Sequence, residues 1–182
     1  QLDETLFSVV SKMKTNQTIL NIVDCLKNAH VMCVGDVMLD RFVSGNVERI
    51  SPEGPIPILQ ITSERSMLGG AGNVVRNLRT LGARVSFLSV IGDDPAGSEI
   101  SKMILEDSDI KASLLIDSKR KTSIKTRFLA SNQQILRSDQ ETSINIPPRH
   151  EKKLLQLAKK NIAVCGALIL SDYGKGVLTE DL

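Results

Sequence analysis

Three short stretches hold residues whose types and spacing can do chemistry. Gly69, Gly70, Ala71, Gly72 and Asn73 stand together just ahead of an amphipathic segment. Backbone without side chains lets a ligand come close, and the first amides of a following helix offer free donors in a positive potential. The same residues would equally make a tight turn into a packed helix. Asp36 and Asp40 stand four apart after a short apolar run. In extended chain, residues at even spacing share a face, and carboxylates accept hydrogen bonds from the hydroxyls of a sugar. The alternative is an Asx-type turn at Asp36 and a solvated acid at Asp40. Ser171, Asp172, Tyr173, Gly174, Lys175 and Gly176 follow a second apolar run. A lysine on such a loop can hold a phosphate as a point charge, or simply be solvated. Arg127 and Arg137 can clamp an anion or pair with Asp139 and Glu141. His30 and His150 are isolated in sequence and receive no role.

Two common phosphate motifs do not fit. Gly70 and Gly72 match the first two glycines of the dinucleotide fingerprint, but Val75 stands where the third belongs, and no clear apolar strand directly precedes the loop. A Walker-type loop lacks its Gly-Lys-Ser/Thr ending.

These residues need elements to position them. Residues 31–34 and 85–91 are apolar runs that end at glycine and aspartate, as buried parallel strands do. Residues 42–50 and 55–62 are β-rich but more polar, with a turn at 51–54, and predict two strands outside the main sheet. After the glycines, Val74, Val75, Leu78 and Leu81 mark a helix face that Gly82 stops. Pro95 opens a helix over about 96–106, and Pro147 and Pro148 open another carrying Leu154, Leu155, Leu157 and Ala158. Residues 110–116, 123–130 and 134–137 read as strands, and 163–170 as a buried one. Leu6, Val9, Val10 and Met13, then Ile19, Ile22, Val23 and Leu26, give a helical extension over 1–28. The alternation predicts an α/β fold, a largely parallel sheet with helices on both faces, plus a small β lid. In such sheets ligands bind outside the carboxyl ends of the strands, where Asp36, Asp40 and the 171–176 loop fall. Thr179, Glu180 and Asp181 read as the start of a helix at which the chain stops. With Gln at position 1, the expectation is a fragment.

Composition narrows the class. The chain has 182 residues, with 23 Lys and Arg against 21 acids, a net charge of +2. That gives no general drive toward nucleic acid or an anionic membrane. Aromatics are 3% with no Trp, so stacking platforms for single-stranded nucleic acid are not expected. The longest apolar stretch, 162–170, falls well short of the about 20 residues that span a bilayer, and no export signal opens the chain. Cys25, Cys33 and Cys165 are three and widely spaced, without zinc-type pairing or a disulfide framework. Cys33 and Cys165 sit in apolar runs and are expected to be buried reduced thiols. A soluble cytoplasmic protein with neither nucleic acid nor membrane as partner is the expectation.

The sequence resembles the ribokinase-like (PfkB-type) carbohydrate kinases. Gly-Asp-Val-Met-Leu-Asp at 35–40, Gly-Gly-Ala-Gly-Asn at 69–73 with its helix ending in Leu-Gly-Ala, and Ile-Gly-Asp-Asp at 91–94 carry the likeness. Within that family it is most similar to the D-glycero-β-D-manno-heptose 7-phosphate kinases of lipopolysaccharide core synthesis. The runs that carry this are Arg-Ile-Ser-Pro-Glu-Gly-Pro-Ile-Pro at 49–57, Asn-Gln-Gln-Ile-Leu-Arg-Ser-Asp at 132–139 and Ser-Asp-Tyr-Gly-Lys-Gly at 171–176. The match covers about 31–182, with 1–30 as a helical extension and the lid at about 42–62.

The resemblance implies phosphorylation of the anomeric hydroxyl of the heptose 7-phosphate, with ATP and Mg2+ as cofactors. It implies sugar contacts at Asp40, Gly69, Gly70 and Asn73 and near Asp172, with Lys175 and Arg137 as phosphate partners. A homodimer through the β lid is expected. The family's second glycine-rich motif, with the anion hole and catalytic aspartate, is not among these residues, so no catalytic residue is assigned and the fragment alone is expected to be inactive. In this subfamily the kinase is sometimes fused to an adenylyltransferase. A kinase for another sugar and a non-catalytic sugar-binding module remain open, while a dinucleotide oxidoreductase is disfavoured by the loop spacing.

Overall fold

A computed structural model describes residues 20–182 except 22 and 132. Most of the helix read over 1–28 lies outside the described residues, and 23–26 are helical. The elements are β1 (His30–Gly35), β2 (Val37–Ile50), β3 (Pro57–Gly70), α1 (Ala71–Thr80), β4 (Arg84–Gly92), α2 (Pro95–Leu105), β5 (Ile110–Asp117), β6 (Ser123–Ala130), β7 (Gln133–Gln140), α3 (Pro148–Ile162) and β8 (Ala167–Ser171).

One sheet is wholly parallel, in the order β5-β4-β1-β8. Its central strands bury both faces, which is why they read as unbroken apolar runs. Met32 and Val34 pack with Leu88, Val90 and Leu154 of α3 on one side. Cys33 packs with Val85, Phe87, Val75 of α1 and Ile100 and Ile104 of α2 on the other. At about 1.5–3 kcal/mol for each large side chain fully buried, these two clusters hold helices to both faces. Burial pushes the Cys33 thiol up to about 12, so it is an inert core thiol. Cys165 is half-buried in the turn after α3 rather than inside a strand.

The second sheet corrects the expectation of a two-stranded lid at 42–62. It has four strands in the order β3-β2-β6-β7. β2 runs antiparallel to β3 and parallel to β6, and β6 runs antiparallel to β7. Its strands begin well inside the body: Leu39, Leu68 and Ile124 at its base belong to the main core. The polar outer halves show the lid to a sequence reader, while the apolar inner halves look like core. Arg41 fastens this sheet to the body, reaching Glu99 of α2 at 2.9 Å and Glu64 of β3 at 3.3 Å.

Two boundaries also move. The run read as a buried strand over 163–170 is divided between the turn that follows α3 and β8, which pairs with β1 only from Ala167 and is mostly exposed. Cys165 N–H donates to Ile162 O at 3.0 Å, closing the turn, and Gly166 N–H donates to His30 O at 2.8 Å. No helix forms at 179–182. Thr179 Oγ1 donates to Glu151 Oε1 at 2.6 Å instead of capping. Among the described residues no helix is long and apolar enough to cross a membrane.

Candidate functional site

The glycines at 69 and 70 are the last residues of β3, not a loop, and α1 begins at once with Ala71. A strand therefore does directly precede this motif, contrary to the reading from sequence. It belongs to the lid sheet and runs antiparallel to its neighbour, so it is not the first strand of a parallel dinucleotide unit. Gly70 turns the chain at φ 56, in the region that favours glycine, and a Cβ there would collide with Asp36 O. A Cβ on Gly69 would lie 2.5 Å from Asp40 Oδ2. These two positions are bare because an acid and a backbone carbonyl lie against them.

Asp40 is the acid in question. It is mostly buried, and its Oδ1 accepts from Arg127 Nη1 at 2.7 Å. Asp40 faces Lys125 across the β2–β6 pair, and Lys125 faces Asp139 across β6–β7. One register step of two residues further out, Arg65, Phe42, Arg127 and Arg137 form a row across all four strands. Residues directly opposite on neighbouring strands point to the same side, so these two rows make one face. The guanidinium carbons of Arg65 and Arg127 lie 4.8 and 5.2 Å from the Phe42 ring centroid.

The phosphate-partner candidates are tethered to this same face by acids. Arg137 Nε meets Asp139 Oδ1 at 3.0 Å, and Lys125 Nζ meets Asp139 Oδ2 at 3.2 Å. Partial burial works against the Asp139 charge, but these two cations hold its pKa below the ordinary value. Lys175 Nζ meets Glu141 Oε1 at 2.8 Å. Asn73, in the first turn of α1, accepts from Arg76 Nη2 at 3.0 Å. Asp172 is exposed and its Oδ1 accepts from Gly174 N–H at 2.8 Å, shaping the loop on which Lys175 stands.

Asp36 departs from its sequence reading. Its side chain is 1% exposed, and its oxygens accept the N–H groups of Tyr173 at 2.8 Å, Lys175 at 3.1 Å and Val177 at 3.0 Å. A carboxylate so occupied holds a loop and has no oxygen turned toward a sugar. Asp36 and Asp40 share neither face nor burial because β1 ends at Gly35 and β2 starts afresh at Val37.

Arg120 escaped the reading. It is 6% exposed and donates from Nη1 to Lys175 O at 2.7 Å and from Nη2 to Ile144 O at 2.8 Å. It therefore ties the Lys175 loop to the segment before α3. Its setting in Lys119-Arg120-Lys121 looks like a solvated turn, so no local signal marks it.

Glycine-lined acid and tethered cations are what a polyol with an anionic group would need. A family model described as pfkB family carbohydrate kinase matches residues 28–182. The chain is 51% identical over 166 residues to the bifunctional protein HldE of Rhodospirillum rubrum, covering 91% of this chain and 34% of that protein. It is 50% identical over 160 residues to the bifunctional protein HldE of Paramagnetospirillum magneticum, covering 88% and 33%. Among solved structures, a carbohydrate kinase from Agrobacterium tumefaciens superposes with a TM-score of 0.62 at 19% identity, covering 78% of this chain and 45% of that one. The chain belongs to the pfkB family of carbohydrate kinases. It spans about a third of the length of these curated relatives.

Proposed function

We propose that this chain is the sugar-binding portion of an ATP-dependent kinase acting on D-glycero-β-D-manno-heptose 7-phosphate. The observation that carries the reading is Asp40, a mostly buried carboxylate beside the bare backbone of Gly69, with a cation-rich lid row one step further out. Asp40 accepts hydrogen bonds from sugar hydroxyls and so orients the anomeric oxygen. Gly69, Gly70 and Asn73 let the ring sit against backbone. Lys175 and Arg137, paired with Glu141 and Asp139 in the free protein, are candidate cations for the 7-phosphate. The sequence resemblance to the heptose 7-phosphate kinases and the identity to proteins named HldE support the sugar assignment.

In the reaction the anomeric oxygen attacks the terminal phosphorus of ATP, ADP leaves, and the sugar gains a 1-phosphate. Positioning and charge stabilisation provide most of the catalysis in such transfers. ATP and Mg2+ are the proposed donor and its cation. Among the described residues no three His, Cys, Asp or Glu side chains converge to hold a metal ion. The lid covers the sugar and limits entry of water. Exposed Ile50 and Ile56 at its tip and Ile61 further in support a homodimer formed through the lid.

The test is product analysis with a full-length protein. ATP and the heptose 7-phosphate should give ADP and a new anomeric phosphate signal by phosphorus NMR. Transfer to another hydroxyl, or no transfer, overturns the proposal. Preference for an unphosphorylated sugar leaves only the family.

A further inference from the structure

We infer that Arg65, seated on Phe42, is the residue that selects a substrate carrying a distal phosphate; this rests on the phosphosugar reading above. The acids beside these cations are already engaged. Asp40 holds Arg127, Asp139 holds Arg137 and Lys125, and Glu141 holds Lys175 and Lys125. Among the described residues Arg65 has no acidic partner, and its guanidinium lies over the Phe42 ring. Arg127 flanks that same ring. Two guanidinium groups against one ring repel each other, and Arg127 alone has a carboxylate to offset this. An anion beside Arg65 would complete the balance, and a planar guanidinium meets phosphate oxygens in pairs.

Position supports the same choice. Arg65 is on β3, two register steps outward from Gly69, and stands opposite Phe42, the residue two beyond Asp40 on the neighbouring strand. Rows two residues apart are separated by about 6.7 Å, and adjacent strands by about 4.8 Å. A sugar hydroxyl at Asp40 thus leaves an exocyclic phosphate within reach of Arg65. Arg137 is two strands away from β2 on the other side and must first leave Asp139. Phe42 fixes the Arg65 fork in the free protein, so little side-chain freedom is lost on binding.

Steady-state kinetics on the full-length protein test this, with heptose 7-phosphate and unphosphorylated heptose as alternative acceptors. Arg65→Ala should raise the KM for the phosphosugar about ten- to hundred-fold and leave the KM for the plain heptose unchanged. Phe42→Leu should produce a smaller shift of the same selectivity. Arg65→Lys should recover part of the charge but not the paired geometry. Equal losses on both sugars would make Arg65 structural and overturn the inference, as would unchanged selectivity in Arg65→Ala with a loss confined to Arg137→Ala. If the unmutated protein itself shows no preference for the phosphosugar, the substrate reading fails, and this inference with it. That outcome is visible before any variant is made.

Discussion

Gly69 lies so close beside Asp40 that a single methyl group at position 69 would come within 2.5 Å of Asp40 Oδ2. The missing side chain and the carboxylate are therefore one feature of the site. Asp40 cannot retreat freely, because its other oxygen is held by Arg127 at 2.7 Å.

Gly69→Ala would crowd Asp40 Oδ2 at 2.5 Å and the Cγ of buried Met38 at 2.9 Å, so it should cost some stability and push the Asp40 carboxylate out of position. In the full-length protein we expect the KM for the sugar to rise about ten-fold, on the scale of one lost charge-assisted hydrogen bond, with the KM for ATP little changed. A variant with unaltered sugar kinetics would show that Asp40 does not need its present place.

Asp40→Asn keeps the shape and removes the charge. Charge-assisted bonds to hydroxyls are worth about 1.5–3 kcal/mol, so in the full-length protein sugar binding or turnover should weaken about ten-fold or more while ATP affinity holds. Arg127 loses its partner but keeps access to water, so the melting temperature should move little. Sugar kinetics identical to the unmutated protein would reduce Asp40 to an acid that only pairs with Arg127.

Asp36 calls for the opposite pattern. Three backbone N–H groups from the 173–177 loop converge on a side chain with almost no exposure. Asp36→Ala leaves all three without an acceptor and should cost about 3 kcal/mol or more, since each buried unsatisfied donor costs about 1–3 kcal/mol. Urea denaturation measures this directly. A loss under about 1 kcal/mol would mean the loop is held by Arg120 and its own turns.

The contrast between Asp36 and Asp40 shows where sequence reasoning was sufficient and where it was not. The parallel strands were legible because Met32, Cys33 and Val34 are buried on both faces and leave an unbroken apolar run. Asp40 and Gly69 were legible as residue types suited to a sugar. Their proximity was not, because it depends on β2 and β3 lying side by side from Val37 to Gly70. The extent of the lid was hidden for the same reason: Leu39, Leu68 and Ile124 serve the core at one end of strands whose other ends are solvated. Arg65 and Arg120 carried no local mark. One gains its meaning from a ring on the next strand, the other from carbonyls 24 and 55 residues away in sequence.

Asp94 gives a prediction that pH can test. Its Oδ1 accepts from Gly97 N–H and its Oδ2 from Thr122 N–H, both at 2.8 Å, so it caps α2 and fixes the end of the β5–β6 connection, where the chain enters the second sheet. Burial disfavours its charge, but these hydrogen bonds prevail and hold its pKa below the ordinary value. The unfolded chain should titrate near about 3.9. Above that value the carboxylate is charged in both states and its stabilisation is fully present. Below it the unfolded state takes up a proton first, and the stabilisation drains away as pH falls through the lower folded value. Asp94→Ala should therefore be less stable by about 1–2 kcal/mol at pH 7, with the gap constant down to about pH 5 and narrowing below about pH 4. Asp94→Asn retains an acceptor for Gly97 and should lose less. Urea midpoints of the three proteins across this range measure both effects. A gap between the unmutated protein and Asp94→Ala that held steady or widened toward pH 3 would show that the charge on Asp94 contributes nothing to the fold.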